Sequence, residues 1–150
     1  RDCVRALYHL TKTLEPSRPV IGNDGWESLA TDIIGIHDYD ADVGRLARRY
    51  NGPEVVPNLF ARERPGGRLL TIEGHPHAGQ PVMLTEFGGI AFTAEERRDE
   101  TWGYDRSHDV EEFARDYTTL LNTVRPLTVF AGFCYTQFAD TYQEANGLLY

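Results

Sequence analysis

Four short, almost unbroken apolar runs, each closing on polar or aromatic residues, limit what this chain can fold into. Residues 19–22 stop at Asn23-Asp24-Gly25-Trp26 and residues 32–36 at His37-Asp38-Tyr39. Residues 81–85 stop at Glu86-Phe87-Gly88-Gly89 and residues 127–135 at Thr136-Gln137. None alternates apolar with polar, so each reads as a parallel strand covered on both faces. Between them lie stretches of helical period. Residues 3–14 carry Val4, Leu7, Tyr8, Leu10 and Leu14, residues 42–50 carry Val43, Leu46 and Ala47, and residues 110–124 carry Val110, Phe113, Tyr117, Leu120, Leu121 and Val124. Asp109 is placed to cap the last of these, with Glu111 and Glu112 favourable in its first turn. Strands alternating with helices predict βαβ units and an α/β fold with a parallel sheet. Residues 51–80, broken by Pro53, Pro57, Pro65 and several glycines, read as a long surface loop. Residues 88–108 read as a polar loop that holds Phe92, Trp102 and Tyr104.

Charge narrows the function classes. Fifteen basic against 23 acidic residues leave −8, which argues against nucleic acid or an anionic membrane as partner. No apolar run has the ~20 residues a membrane span needs. Cys3 and Cys134 form neither a disulfide framework nor a zinc pattern. The compartment stays open, with the cytoplasm slightly favoured, since any signal peptide would lie upstream of Arg1.

In parallel α/β architectures ligands gather at the C-terminal ends of the strands. That rim would collect Asn23, Asp24, Trp26, His37, Asp38, Tyr39, Glu86, Thr136 and Gln137. Glu86 is the sharpest candidate, because a carboxylate ending an apolar strand is costly to desolvate and is rarely placed there for packing. A salt-bridged or capping glutamate is the alternative. For His37 the alternative is a satisfied core histidine, and for Asn23 and Asp24 a turn at Asn23-Asp24-Gly25.

Residues 81–89, Pro-Val-Met-Leu-Thr-Glu-Phe-Gly-Gly, resemble the nucleophile strand of glycoside hydrolase family 2, the β-galactosidase, β-glucuronidase and β-mannosidase group. Residues 18–27 resemble the fifth strand of that family's barrel, residues 32–39 the sixth, and residues 132–140 with 143–149 the eighth and its exit. The resemblance implies a (β/α)8 TIM barrel, present as strands 5 to 8. Residues 1–150 would then be the C-terminal half of a catalytic barrel, less than one domain, since such a barrel needs ~250 residues. It implies a retaining β-glycosidase that places two carboxyl groups about 5–5.5 Å apart. Glu86 matches the nucleophile and Tyr39 the tyrosine that hydrogen-bonds it. Asn23, Asp24, His37, Asp38, Trp102, Tyr135, Gln137 and Glu144 would contact the sugar. Tyr135 stands where many members carry a tryptophan, so galactose is not implied. The family's acid/base Asn-Glu pair is absent, and the acid/base would come from a preceding half-barrel, which with β-sandwich domains of the same enzyme would be this chain's partner. A homo-oligomer is compatible with this reading. No metal and no cofactor are implied. A non-catalytic carbohydrate-binding or scaffold half-barrel is the competing expectation. A flavodoxin-like binding protein is disfavoured, because no Gly-rich phosphate loop follows any strand.

Two patterns are set aside. Asp38, Asp40 and Asp42 have calcium-loop spacing, but Val43 stands where that loop needs Gly and Arg49 where it needs Glu. His75 and His77 flank Pro76 in a Gly-rich stretch, which fits a surface turn better than a metal site.

Overall fold

A computed structural model describes residues 1–93 and 95–149. The helices are α1 (Asp2–Leu14), α2 (Val43–Tyr50), α3 (Val55–Ala61) and α4 (Val110–Val124), and the strands are β1 (Ile34–Asp38), β2 (Val82–Gly88), β3 (Ile90–Ala91), β4 (Asp105–Arg106) and β5 (Phe130–Thr136). Two 3₁₀ turns, Pro65–Gly67 and Glu95–Glu100, complete the regular structure. β1, β2 and β5 form a parallel sheet in that order, and β3 pairs with β4 as a separate ribbon.

The expected barrel strands are corrected here. The described residues form an open three-stranded sheet and a two-stranded ribbon, a small α/β arrangement with no barrel. Residues 19–22 do not join it, and the reason is local. The Val20 N–H donates to Asp32 Oδ2 (2.9 Å) and the Val20 carbonyl accepts from the Asp32 N–H (2.8 Å). Proline at 19 offers no donor. The backbone groups a strand would need are spent within the loop.

Helices at residues 2–14, 43–50 and 110–124 follow the apolar period closely. Asp42 and Asp109 cap α2 and α4 by accepting from Arg45 N–H (2.9 Å) and Glu112 N–H (2.7 Å). The stretch read as a loop over 51–80 contains α3. Pro57 is the third residue of that helix, within the first turn, where no N–H is required. β3, the second 3₁₀ turn and β4 likewise occupy the stretch read as a loop over 88–108.

The core lies between the sheet and helices α2, α3 and α4. Ile34, Ile36, Leu84 and Phe87 meet Leu46, Tyr50, Leu59, Leu120 and Val124 there. β1 and β2 are largely buried, whereas Ala131, Phe133 and Cys134 of β5 are exposed, so coverage of both faces fails at that edge. Helix α1 has no buried residue and is held by polar contacts. Tyr8 donates to Asp32 Oδ1 (2.6 Å) and Lys12 Nζ lies 3.0 Å from Asp32 Oδ2.

Candidate functional site

The site is built around an irregularity in the sheet. Along β1 and β2, Ile36 pairs with Leu84, but the next pair is His37 with Glu86. Thr85 is therefore an extra residue on β2, and the bulge brings His37 and Glu86 directly opposite one another. His37 Nδ1 lies 3.3 Å from Glu86 Oε2, and the Tyr39 hydroxyl donates to the same oxygen. Among the described residues no hydrogen bond or ion pair reaches Glu86 Oε1. The Glu86 side chain is 38% exposed, so one carboxylate oxygen is fastened while the other stays available.

Asp24 completes the cluster from the preceding loop. Its Oδ1 accepts from the Thr85 hydroxyl (2.7 Å) and from the Gly25 N–H (2.8 Å). Its Oδ2 lies 3.3 Å from His37 Nε2, within ion-pair range but off hydrogen-bond alignment. The imidazole edge thus stands between two carboxylates. Donor atoms of Asp24, His37 and Glu86 lie within 4.8 Å of one another. The ligands of one tetrahedral ion lie about 3.5 Å apart, and an ion takes only one imidazole nitrogen. The imidazole thus faces a carboxylate with each of its ring nitrogens. The spacing of Asp24 from Glu86 comes close to that of a retaining carboxyl pair, but the imidazole fills the gap that a glycosidic bond would need.

Aromatic rings wall the cluster. Trp26 meets His37 edge-on at 4.9 Å, and Tyr39 stacks on Tyr104 at 3.4 Å and 5°. His37, Tyr39, Trp26, Tyr104 and Arg64 line one cleft of about 500 Å³. Gly88 and Gly89, which follow Glu86 and Phe87, both take positive φ, 88° and 65°. A Cβ at Gly88 would overlap the Tyr135 ring, and one at Gly89 the Tyr104 ring. Burial, and then the Glu86 carboxylate, push the Tyr39 phenol far above its ordinary value, so Tyr39 stays a donor.

Other expected site residues are engaged elsewhere. Asp38 is buried and accepts from Arg49 and from the Tyr50 hydroxyl (2.7 Å). The Asn23 side chain donates to the Trp26 carbonyl (2.6 Å). The Tyr135 ring packs edge-on to Phe87 and Tyr117, its hydroxyl accepts from the Ile90 N–H (3.3 Å), and burial pushes its phenol up to about 12. Trp102, 46% exposed, meets Tyr104 edge-on at 5.7 Å and bridges through its backbone to Glu144. Glu144 Oε1 accepts from Asn146 (3.2 Å), and Gln137 Nε2 donates to the Glu144 carbonyl (3.5 Å). The structure thus brings Asp24, His37, Tyr39 and Glu86 together and sets Trp102 and Glu144 beyond Tyr104. Thr85 and Tyr104 are the residues that sequence reasoning did not select. For Tyr104 the available signal was its place two residues after Trp102 in an aromatic-bearing loop.

No protein-family model and no curated protein matches this chain.

Proposed function

We propose that the chain carries the nucleophile, Glu86, of a retaining β-glycosidase of the β-galactosidase or β-glucuronidase kind. The observation that carries this reading is the asymmetry of the Glu86 carboxylate. Oε2 is fastened by Tyr39 and faced by His37, while Oε1 has no partner among the described residues. A carboxylate so held attacks an anomeric carbon through Oε1. The bond from that carbon to the leaving oxygen breaks, the electron pair leaves with the aglycone, and a covalent glycosyl-enzyme remains for water to hydrolyse. Tyr39 serves first as an anchor. Its proton remains on the phenol while charge leaves the carboxylate, so the hydrogen bond adjusts without a proton transfer.

The leaving oxygen needs a proton, and no second carboxyl group in this cluster is free to give one. Asp24 is turned to Thr85, Gly25 and His37. The acid/base glutamate is assigned to another segment of the same enzyme. Trp102 and Tyr104, both exposed, offer aromatic surface to the apolar faces of a sugar ring, although one face of Tyr104 is taken by Tyr39.

In the enzyme that carries this chain, Glu86→Gln removes the nucleophile with little change in shape. Turnover of an aryl β-glycoside falls by several orders of magnitude while the circular dichroism spectrum stays as in the wild type. Hydrolysis at the wild-type rate contradicts the proposal. The exposure of Trp102 and Tyr104 favours a second reading, a carbohydrate-binding surface without chemistry. That reading requires sugar binding that survives Glu86→Gln, with no turnover in either protein.

A further inference from the structure

We infer that Asp24 is a positioning residue that acts on Glu86 through the His37 imidazole; the inference rests on the reading of Glu86 as the reacting carboxylate. Three observations point the same way. His37 faces Asp24 with one ring nitrogen and Glu86 with the other, each at 3.3 Å. A ring contacted at both edges has little freedom to turn. Next, Asp24 is itself fixed, because its Oδ1 accepts from Thr85 and from Gly25. The Thr85 hydroxyl reaches Asp24 from the bulge that places His37 opposite Glu86, so one irregularity serves both contacts. Last, the backbone is cut away around the pair. A Cβ at Gly35 would overlap Asp24 Oδ1, and one at Gly25 would lie 2.6 Å from the His37 ring. The fold thus keeps a pocket the size of this carboxylate and this ring.

The consequence for chemistry is orientation. With Tyr39 donating to Oε2 and His37 facing the same oxygen, one end of the Glu86 carboxylate is held and Oε1 is left without a partner among the described residues. Asp24 makes no direct contribution to the reaction. It keeps the imidazole from swinging off Glu86, and its loss is felt only as far as His37 is there to transmit it.

The test combines a rate with a geometric signature. Activated 2-deoxy-2-fluoro-β-glycosides with a dinitrophenolate leaving group need no proton donor, so they report the reaction of Glu86 alone. Asp24→Ala and His37→Gln each slow covalent labelling by about tenfold or more, as expected when the ring facing Glu86 Oε2 is lost or freed to turn. The double variant is no slower than His37→Gln by itself, which is the signature of action through one residue. Asp24→Asn still accepts from Thr85 and Gly25 and recovers most of the rate. Independently of labelling, nuclear Overhauser effects between the His37 ring protons and the Trp26 indole persist in Asp24→Asn and vanish in Asp24→Ala. Thr85→Val, which keeps the side-chain shape but removes the hydroxyl, weakens them. Multiplicative rate losses in the double variant overturn the inference, as do unchanged Overhauser effects in both Asp24→Ala and Thr85→Val. If Glu86 is not labelled in the wild type, the glycosidase reading fails, and the Overhauser signature alone then decides whether Asp24 positions His37.

Discussion

Tyr39 keeps its proton because burial and a neighbouring carboxylate both oppose phenolate, and the same two causes tie it to Glu86. A phenol raised in the folded state lends stability that is fully present below its ordinary value near 10. That stability is lost progressively as pH rises above 10 and through the higher folded value. In a spectrophotometric titration of the eight tyrosines, Tyr39→Phe therefore removes no phenolate signal between pH 9 and 11. Loss of a full tyrosine's amplitude in that window would contradict the geometry. At this scale much of the site was legible. Glu86, Tyr39, His37 and Asp24 stand at the ends of apolar runs, where the polar switch is visible in the sequence. Thr85 was not, because a bulge leaves no mark in composition and depends on how two strands align. Asp38 looked equivalent to its neighbours, yet alternation along β1 turns it the other way, onto Arg49 and Tyr50.

The junction of β1 with α2 is an ion-pair network. Arg49 reaches Asp38 and Asp40, and Arg45 reaches Asp40 and Asp42. These contacts flank Tyr39 on both sides, so the helix steadies the residue that anchors Glu86. Asp38 is only 3% exposed, and removing its cation leaves a buried charge with the Tyr50 hydroxyl as its remaining side-chain partner. Arg49→Met is expected to cost about 3 kcal/mol in denaturant unfolding, whereas a loss below ~1 kcal/mol, typical of exposed pairs, would show the pair to be peripheral. Hydrogen bonds from Arg45 hold the Asp40 carboxyl at about 2, below its ordinary 3.8. A depressed carboxyl contributes stability above its ordinary value and loses it as pH falls toward the folded one. The thermal midpoint therefore drops between pH 4 and 2 in the wild type and drops less in Asp40→Asn. Equal slopes would refute the assignment. Among the elements, the amphipathic helices and the strands at 34–38, 82–88 and 130–136 were visible as period or apolar run. Helix α3 was hidden by Pro57, which as a breaker argues against a helix but as a first-turn residue is compatible with one.

Taken whole, the molecule is a three-stranded parallel sheet whose helix-covered side is its core and whose strand ends carry the candidate site. The barrel expected from the resemblance took four segments as its strands, and the first of them fails at residues 19–22, where the backbone instead closes on Thr31 and Asp32. An apolar run shows that a segment can be buried but not with whom its backbone pairs, and that is settled by competing hydrogen bonds from other parts of the chain. The grouping of Asp24, His37, Tyr39 and Glu86 does not depend on a barrel. It needs only β1 beside β2, the bulge at Thr85 and the loop that returns through Asp24. The most direct test of the central claim is to treat the protein with dinitrophenyl 2-deoxy-2-fluoro-β-glycosides of the galacto, glucurono and manno series and to map the adduct by mass spectrometry. The account predicts one fluoroglycosyl group per chain on the peptide containing Glu86, absent from Glu86→Gln. A stoichiometric label on any other residue, or none with any of the three sugars, would contradict it.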